Sequence, residues 1–153
     1  MKQRFSTLLP AAVTAIRKEF GQKEDNGEYT VQKEIPREYQ GYISSFGASV
    51  MQMGLLPTLA VFGSQNEGGG SAQDRAKLLT VLQAILTSKA SGIDSELKQE
   101  ISDYSTKGKE SHPLFGFAVR VAGDQAKQRE LRTHLMDAAV AAKLAIRTFQ
   151  LSK

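Results

Sequence analysis

Histidine is the side chain most often used for acid–base chemistry and metal binding near neutral pH, and this chain contains two. His112 and His134 lie far apart in the sequence, and neither has a second ligand at a spacing typical of metal sites. We expect His134 to be an ordinary residue on the flank of a helix. The chain has no cysteine, which excludes disulfides, thiolate metal sites and cysteine nucleophiles. The sequence therefore predicts neither a bound metal nor another cofactor.

Motifs for catalysis or nucleotide binding are also absent, since the sequence contains no G-x-S-x-G, Walker loop or H-E-x-x-H. Three glycines at 68–70 precede a predicted helix, whose first N–H groups could bind an anion. No lysine follows them at Walker spacing, so we interpret them as a linker. One short predicted helix carries a cluster of carboxylates, for which capping and a solvated face are sufficient reasons: Asp94, Glu96, Glu100 and Asp103. These patterns predict that the protein is not an enzyme.

Positive charge is concentrated in the last part of the chain. The formal net charge is +4 at pH 7, and the sequence pI of about 9.4 is typical of many nucleic-acid-binding proteins. Near the end of the first predicted helix, Arg17 and Lys18 form a basic pair that we include among the candidate nucleic-acid-binding residues. From residue 125 onward, six basic residues stand against two acids: Lys127, Arg129, Arg132, Lys143, Arg147 and Lys153 against Glu130 and Asp137.

Four of these cations share one face of the predicted final helix, at about 100° between successive residues. They are Arg129, Arg132, Lys143 and Arg147. Glu130 and Asp137 fall to one side, so no acid is interleaved to neutralise the stripe. Spaced cations without acids suit a surface that follows a nucleic-acid backbone. Met136 and Val140 lie between the cations and suggest a protein contact, and a solvated helix face is the simplest alternative.

Helices position this stripe, because apolar residues recur at intervals of three and four along most of the chain. The predicted first helix ends at Gly21, the second begins at Pro36, and Asp94 caps a later short helix. The final helix is expected to run from about Asp124 to Gln150. The predicted core positions are Phe5, Leu8, Leu9, Ala12, Ile16, Phe20, Tyr39, Ile43, Phe46, Val50, Met53, Leu78, Leu79, Leu82, Ile85, Leu86, Leu97, Ile101, Tyr104, Leu131, Leu135, Ala138, Ala139, Ala142, Ile146 and Phe149.

The fold class that follows is all-α, a single compact helical bundle of about five to seven helices that forms one domain over residues 1–153. Polar and glycine-rich stretches predict flexible loops near 22–34, 64–71 and 105–112. Only FAVRV at 117–121 has the pattern of a strand. One short strand without a partner is not stable, so we assign this segment to a helix.

The most apolar segment is QMGLLPTLAVFGS, residues 52–64. It is shorter than the roughly 20 apolar residues of a membrane span, and we interpret it as a corner between two helices. One helix ends at Gly54, and Pro57 lies in the first turn of the next. The expected core residues of the corner are Leu59, Phe62 and either Ala60 or Val61. The chain start lacks a signal-peptide pattern, which favours a cytoplasmic protein without a membrane partner.

The stretch SVMQMGLLPTLAVF, together with the helix it ends, resembles the small α-helical subunit of type III-B CRISPR effector complexes, the fifth of the Cmr subunits. The residues that carry this resemblance are Tyr42, Gly54, Leu55, Leu59, Ala60 and Phe62. In the final helix, the family's aromatic–arginine pair, acid–alanine pair, tryptophan and basic residue correspond to Leu131-Arg132, Asp137-Ala138, Leu144 and Arg147. Chain length and basic charge also agree, so the resemblance covers most of the chain.

The resemblance implies a non-catalytic subunit of an RNA-guided antiviral complex. Members of the family stack in several copies along the backbone subunits and line the path of the target RNA, where they support its pairing with the guide RNA. The expected partners are therefore the backbone and large subunits, guide and target RNA, and further copies of this chain. Two alternatives remain open. One is a helical adaptor or chaperone-like module without a nucleic-acid role, and the other is a small helical enzyme with an unrecognised site.

Overall fold

The computed structural model of the protein describes residues 2–31, 34–63, 70–89, 91–104, 112–149 and 151, with side chains for all of these except 2–6 and 70–74. This part of the chain contains seven helices: α1 (Lys2–Phe20), α2 (Glu38–Met53), α3 (Leu55–Gly63), α4 (Gly70–Leu86), α5 (Ser95–Tyr104), α6 (Pro113–Arg120) and α7 (Gln125–Ile146). Two short strands, β1 (Gln22–Lys23) and β2 (Tyr29–Thr30), pair as an antiparallel hairpin. The mostly helical fold confirms the all-α prediction.

Helix α7 lies at the centre of the fold, where it packs against α1, α2 and α4. It begins because the Asp124 carboxylate accepts a hydrogen bond from the Lys127 N–H, 3.1 Å away. The small side chains of its buried alanines let three neighbouring helices come close to its backbone. The buried residues of α7 are Leu131, Leu135, Asp137, Ala138, Ala139, Ala141, Ala142, Ala145 and Ile146. Burial therefore extends over more than half of the helix circumference and includes Asp137, which the sequence pattern placed only at one side.

The end of α7 differs from the prediction, because the helix stops at Ile146 and not near Gln150. The N–H groups of Thr148 and Phe149 bond to carbonyls three residues earlier, so the chain tightens into turns. Phe149 remains half-buried against the core. Beyond it, Leu151 forms a parallel bridge with Ile35, which anchors this end of the chain beside the start of α2.

The predicted loop at 22–34 contains the β1–β2 hairpin. Asn26 and Gly27 make its turn, in which the Asn26 side-chain oxygen accepts from the Glu28 N–H and Gly27 has a φ of 88°. The hairpin lies against the end of α1 so closely that a Cβ on Gly21 would be 2.6 Å from the Thr30 carbonyl oxygen. Gly21 thus ends the first helix, as predicted, and also permits this contact.

The two other predicted loops overlap regular structure. Residues 64–69 and 105–111 lie outside the described residues, but α4 already begins at Gly70 and His112 caps α6. Segment 117–121 lies almost wholly in α6, which confirms that FAVRV is not a strand. Helix α2 begins at Glu38, two residues after the predicted start at Pro36.

Most of the predicted core positions with described side chains are buried, including all five of α4 and four of the five in α2. Met53 is the exception in α2, since its side chain is 48% exposed at the last turn of the helix. In α3, Leu59 and Phe62 are buried, and the Phe62 ring meets Phe46 edge to face at 5.4 Å. Ala60 and Val61 are both exposed, so the expectation that one of them enters the core is wrong.

The corner between α2 and α3 depends on Gly54. Its φ of 93° and ψ of 172° belong to a region that only glycine adopts easily. In this conformation the Gly54 N–H donates to the Val50 carbonyl at 3.0 Å. The Gly54 carbonyl in turn accepts from the buried Thr58 hydroxyl at 2.8 Å. Pro57 occupies the first turn of α3, where its missing N–H has no helical partner to lose. The predicted corner is confirmed.

Substitution of Gly54 tests this conformation. We expect Gly54→Ala to lower the free energy of unfolding by about 1–3 kcal/mol, because alanine is strained at a positive φ. Gly41→Ala is the matched control, since Gly41 lies inside α2 with open space around it. The control should be more stable than the parent by about 0.5–1 kcal/mol. Urea denaturation measures both, and an unchanged stability for Gly54→Ala would contradict the assignment.

His112 connects α6 to α4 and is 5% exposed. Its Nδ1 accepts from the Leu114 N–H at 3.1 Å, so the imidazole itself caps α6. With Nδ1 as acceptor, the ring proton resides on Nε2, which lies 3.1 Å from the Thr80 hydroxyl of α4. Burial lowers the pKa of His112 to about 4. A second proton on Nδ1 would face the Leu114 N–H and abolish the cap.

The low pKa predicts loss of stability in mild acid. Between pH 6.5 and pH 4 the unfolded chain protonates this histidine while the folded chain does not, so stability falls as the pH decreases through that window. From pH 7 to pH 5 the contribution is about 2 kcal/mol. Asparagine keeps a capping acceptor but does not titrate. We therefore expect His112→Asn to lose about 2 kcal/mol less stability than the parent between pH 7 and pH 5. Urea titrations at the two pH values measure this difference. If the parent and His112→Asn lost equal stability, the prediction would be contradicted.

Candidate nucleic-acid interface

The four predicted cations lie on the one face of α7 that no neighbouring helix covers. Arg129, Arg132 and Arg147 are exposed and Lys143 is half-buried. Arg147 occupies the C-cap position with helical backbone angles, so it continues the stripe beyond Ile146. Within the described part of the chain, none of the four cations forms an ion pair. We call these four residues the basic stripe.

Two further charged residues of α7, Lys127 and Glu130, contact α5 and the residue that precedes it. The Lys127 ammonium lies 3.1 Å from the Glu100 carboxylate, whose hydrogen bond raises the pKa of this lysine. The Glu130 carboxylate accepts from the Asp94 N–H at 2.8 Å, and His134 Nε2 lies 3.8 Å from the same oxygen. Lys127 is thus paired with Glu100, and Glu130 is bonded to the Asp94 backbone. The excess positive charge of α7 therefore lies on the basic stripe.

Two hollows between α2 and α7 lie beside the basic stripe, and we refer to them together as the α2–α7 groove. The two helices are antiparallel, since Ile43 and Ser44 lie near Lys143 while Met51 and Gly54 lie near Arg129. The wider part, of about 380 Å³, is lined from α7 by Gln125, Gln128, Arg129 and Arg132. The narrower part, of about 130 Å³, is lined from α7 by Met136, Ala139, Val140 and Lys143.

Apolar side chains lie between the cations. Met136 is half-buried, Val140 is 41% exposed, and Met51 on the facing helix is 68% exposed. The Arg132 guanidinium reaches across the groove to within 3.8 Å of the Met51 sulfur. Three of the four stripe residues, Arg129, Arg132 and Lys143, therefore line the groove, and Arg147 lies beyond it.

The facing wall on α2 was not predicted from the sequence. Ser44, Gly47 and Met51 contribute to it. One signal could have found it, because α2 carries no charged residue from Tyr39 through Met53 although about half of these residues are exposed. A helix face that is exposed but uncharged differs from an ordinary solvated face.

Arg17 and Lys18 lie on α1 and are exposed. Lys18 lines a different groove, between α1 and α4, together with Lys89 and Ala84. None of the four stripe residues lines that groove. The structure thus leaves this basic pair apart from the α2–α7 groove.

The carboxylate cluster on α5 has structural partners. Asp94 caps the helix by accepting from the N–H groups of Glu96 and Leu97, at 3.1 and 3.2 Å. Glu100 pairs with Lys127, and Asp103 accepts from the Gln99 side chain at 2.9 Å. Among the described residues, no three acidic or histidine side chains come together as metal ligands would.

His134 is half-buried beside Glu130, as expected for a residue on a helix flank. Of the glycine triplet, only Gly70 is described, and it begins α4. No described helix is both long enough and apolar enough to span a bilayer.

The family model described as CRISPR-associated protein (Cas_Cmr5) matches residues 11–114, which is more than half of the chain. The match extends from α1 into the first turn of α6 and ends before α7, so it includes the α2–α3 corner but not the basic stripe. No match is found among curated proteins or among solved structures. The chain therefore belongs to the Cas_Cmr5 family and is a small subunit of a type III-B CRISPR (Cmr) complex.

Proposed function

We propose that this chain is a non-catalytic subunit of a cytoplasmic effector complex and that its basic stripe binds the target RNA paired with the guide. In this proposal, copies of the chain stack along the backbone subunits in antiviral defence. One observation carries the RNA-binding role: the stripe cations have no ion pair in the described part of the chain, whereas Lys127 pairs with Glu100 and Glu130 bonds to the Asp94 N–H.

The dimensions of the stripe support contact with several phosphates. Arg129 and Arg147 are separated by about 27 Å along the helix, at 1.5 Å per residue. Cations spaced in this way neutralise backbone phosphates without reading bases. Base pairing with the guide would then supply sequence specificity, and the protein would recognise backbone and shape. The family match ends at residue 114, so this role rests on the geometry of α7.

A protein-only adaptor remains the alternative, because Met136 and Val140 interrupt the cations with apolar surface. Such an adaptor would use the stripe to bind an acidic partner. Arg17 and Lys18 stay a prediction for a second RNA contact on α1. The absence of a recognisable catalytic motif in the sequence favours a non-catalytic role.

Charge reversal on the stripe distinguishes RNA binding from a solvated face. We expect Arg132→Glu combined with Arg147→Glu to accelerate release of target RNA from the reconstituted complex. The slope of log affinity against log salt should decrease by about two, because each lost phosphate contact removes roughly one from it. Both side chains are exposed, so the folded state should keep its stability.

The matched control is Lys23→Glu combined with Arg120→Glu, which changes the net charge equally at exposed positions that line neither part of the groove. If this control and the stripe variant retained RNA with the same salt dependence, the stripe would be an ordinary solvated surface. Retention that is unchanged while another subunit dissociates would favour the adaptor.

Co-purification tests the assignment to an effector complex at the level of the whole assembly. A tagged copy expressed in the native host should recover guide RNA and the other subunits of the complex. The Arg132→Glu, Arg147→Glu variant should recover the same subunits, because the proposal gives these arginines an RNA contact. Recovery of acidic proteins without any guide RNA would contradict the proposal.

A further inference from the structure

The wider part of the α2–α7 groove has the chemistry of an anion site. Arg129 and Arg132 are one helical turn apart on one face of α7, and Gln125 and Gln128 lie beside them. No carboxylate is among the residues that line this part. Guanidinium groups present planar, paired N–H donors that match the oxygens of a phosphodiester, and amide side chains add further donors.

The narrower part of the groove is apolar where the wider part is polar. From α2 it is lined by Ile43, Ser44 and Gly47, and none of these side chains is charged. The Met136 side chain lies against this wall, since a Cβ on Gly47 would be at van der Waals distance, 3.8 Å, from its terminal methyl. Met136 and Val140 consequently form an apolar ledge along the groove, and Lys143 lies at its far end.

The order of cations and apolar residues along the groove suits one nucleic-acid strand. Arg132 and Lys143 flank the ledge at a separation of about 16 Å, calculated from 1.5 Å per residue. Phosphates would meet the cations at both ends, and bases between them would cover the apolar ledge. Such a contact tolerates any sequence, because every base offers an apolar face.

The width of the groove favours an unpaired strand over a duplex. Helices in direct contact have axes about 8–10 Å apart, and a groove between them is too narrow to take in a double helix. The base faces of a duplex are also stacked on one another and unavailable to Met136 and Val140. A protein segment would find charged hydrogen-bond donors for its own carbonyl or acidic groups only at Arg129 and Arg132 on one side of the ledge and at Lys143 on the other.

We propose that the α2–α7 groove binds an unpaired segment of the target RNA, beside the part that is paired with the guide, with a phosphodiester between Arg129 and Arg132 and bases on the ledge of Met136 and Val140. This inference rests on the proposed function and makes it more specific. In this proposal, an unpaired strand inserts into the groove beside the basic stripe. The RNA is therefore held by this insertion as well as by the attraction between phosphates and cations.

A neutral substitution that fills the groove tests the inference separately from charge. Ser44→Phe places a large side chain in the narrow part, whereas Ser45→Phe adds the same side chain at the next exposed position, which lines neither part of the groove. Each variant is assembled into the complex with guide RNA and a target RNA that carries 4-thiouridine. Ultraviolet cross-linking to this chain is then quantified, and the cross-linked peptides are identified by mass spectrometry.

We expect Ser44→Phe to reduce the cross-link yield by about tenfold, which corresponds to about 1.4 kcal/mol of binding free energy, because the ring fills the space in which bases would contact Met136 and Val140. Ser45→Phe should leave the yield unchanged, and parental cross-links should map to segments 44–51 and 136–143. Arg129→Gln combined with Arg132→Gln should reduce the yield similarly. Ser44→Gln serves as a smaller filling variant, and circular dichroism confirms that each variant is folded.

Equal cross-linking by Ser44→Phe and Ser45→Phe would overturn the groove site. If charge reversal of Arg132 and Arg147 still released the RNA, the proposed function would stand without the groove. If neither change affected RNA, both proposals would be wrong. Release of a protein subunit by Ser44→Phe, with RNA cross-links intact, would assign the groove to a protein partner and also overturn the inference.

Discussion

The enclosure of α7 by α1, α2 and α4 is the constraint on which the rest of the structure depends. A central helix can be approached from three sides only if the side chains at those contacts are small, and the five buried alanines of α7 meet this requirement. Leu131, Leu135 and Ile146 fill the remaining space. Apart from the buried Asp137, the charged residues of α7 lie on its open side or at the edge that faces α5.

That confinement separates two kinds of charge on a single helix. At the edge toward α5, Lys127 and Glu130 bond to Glu100 and to the backbone of Asp94, so their charges serve the tertiary structure. On the open strip, the stripe cations have α2 as their nearest wall, and that helix offers no carboxylate between Tyr39 and Met53. A net charge of +4 does not by itself show where the excess positive charge lies. The division of charges on α7 locates it on the open side of this helix.

Local patterns were enough to predict the helices, the corner and the basic stripe. The apolar period identified the core of α2 and α4, and Gly54 with Pro57 marked a helix end and a helix start. These features are encoded within a few residues. Periodicity cannot show where a helix projects beyond its neighbours. For this reason Met53, and either Ala60 or Val61, were expected in the core although all three are exposed. The loop at 105–112 was assigned from polarity, which gave no sign that the His112 ring caps a helix and bonds to Thr80.

The groove could not be predicted because its two walls are distant in sequence. Ser44 and Gly47 acquire their place beside Val140 only when α2 packs against α7. The sequences of α2 and α7 do not show that these two helices pair, because α7 packs against three helices and its buried residues are largely alanines. Likewise, the position of Lys18 on a separate groove depends on the pairing of α1 with α4.

The absence of ion pairs between the stripe cations and the rest of the described chain has a consequence for how this protein can change over evolution. A side chain that supports no other part of the fold can be replaced with little effect on stability, typically within about 0.5 kcal/mol at such surface positions. The buried alanines have no such latitude, because any larger residue would push helices apart. Binding strength and fold can therefore evolve separately along one helix, with the contact surface free to adapt to a changing assembly while its opposite face stays fixed.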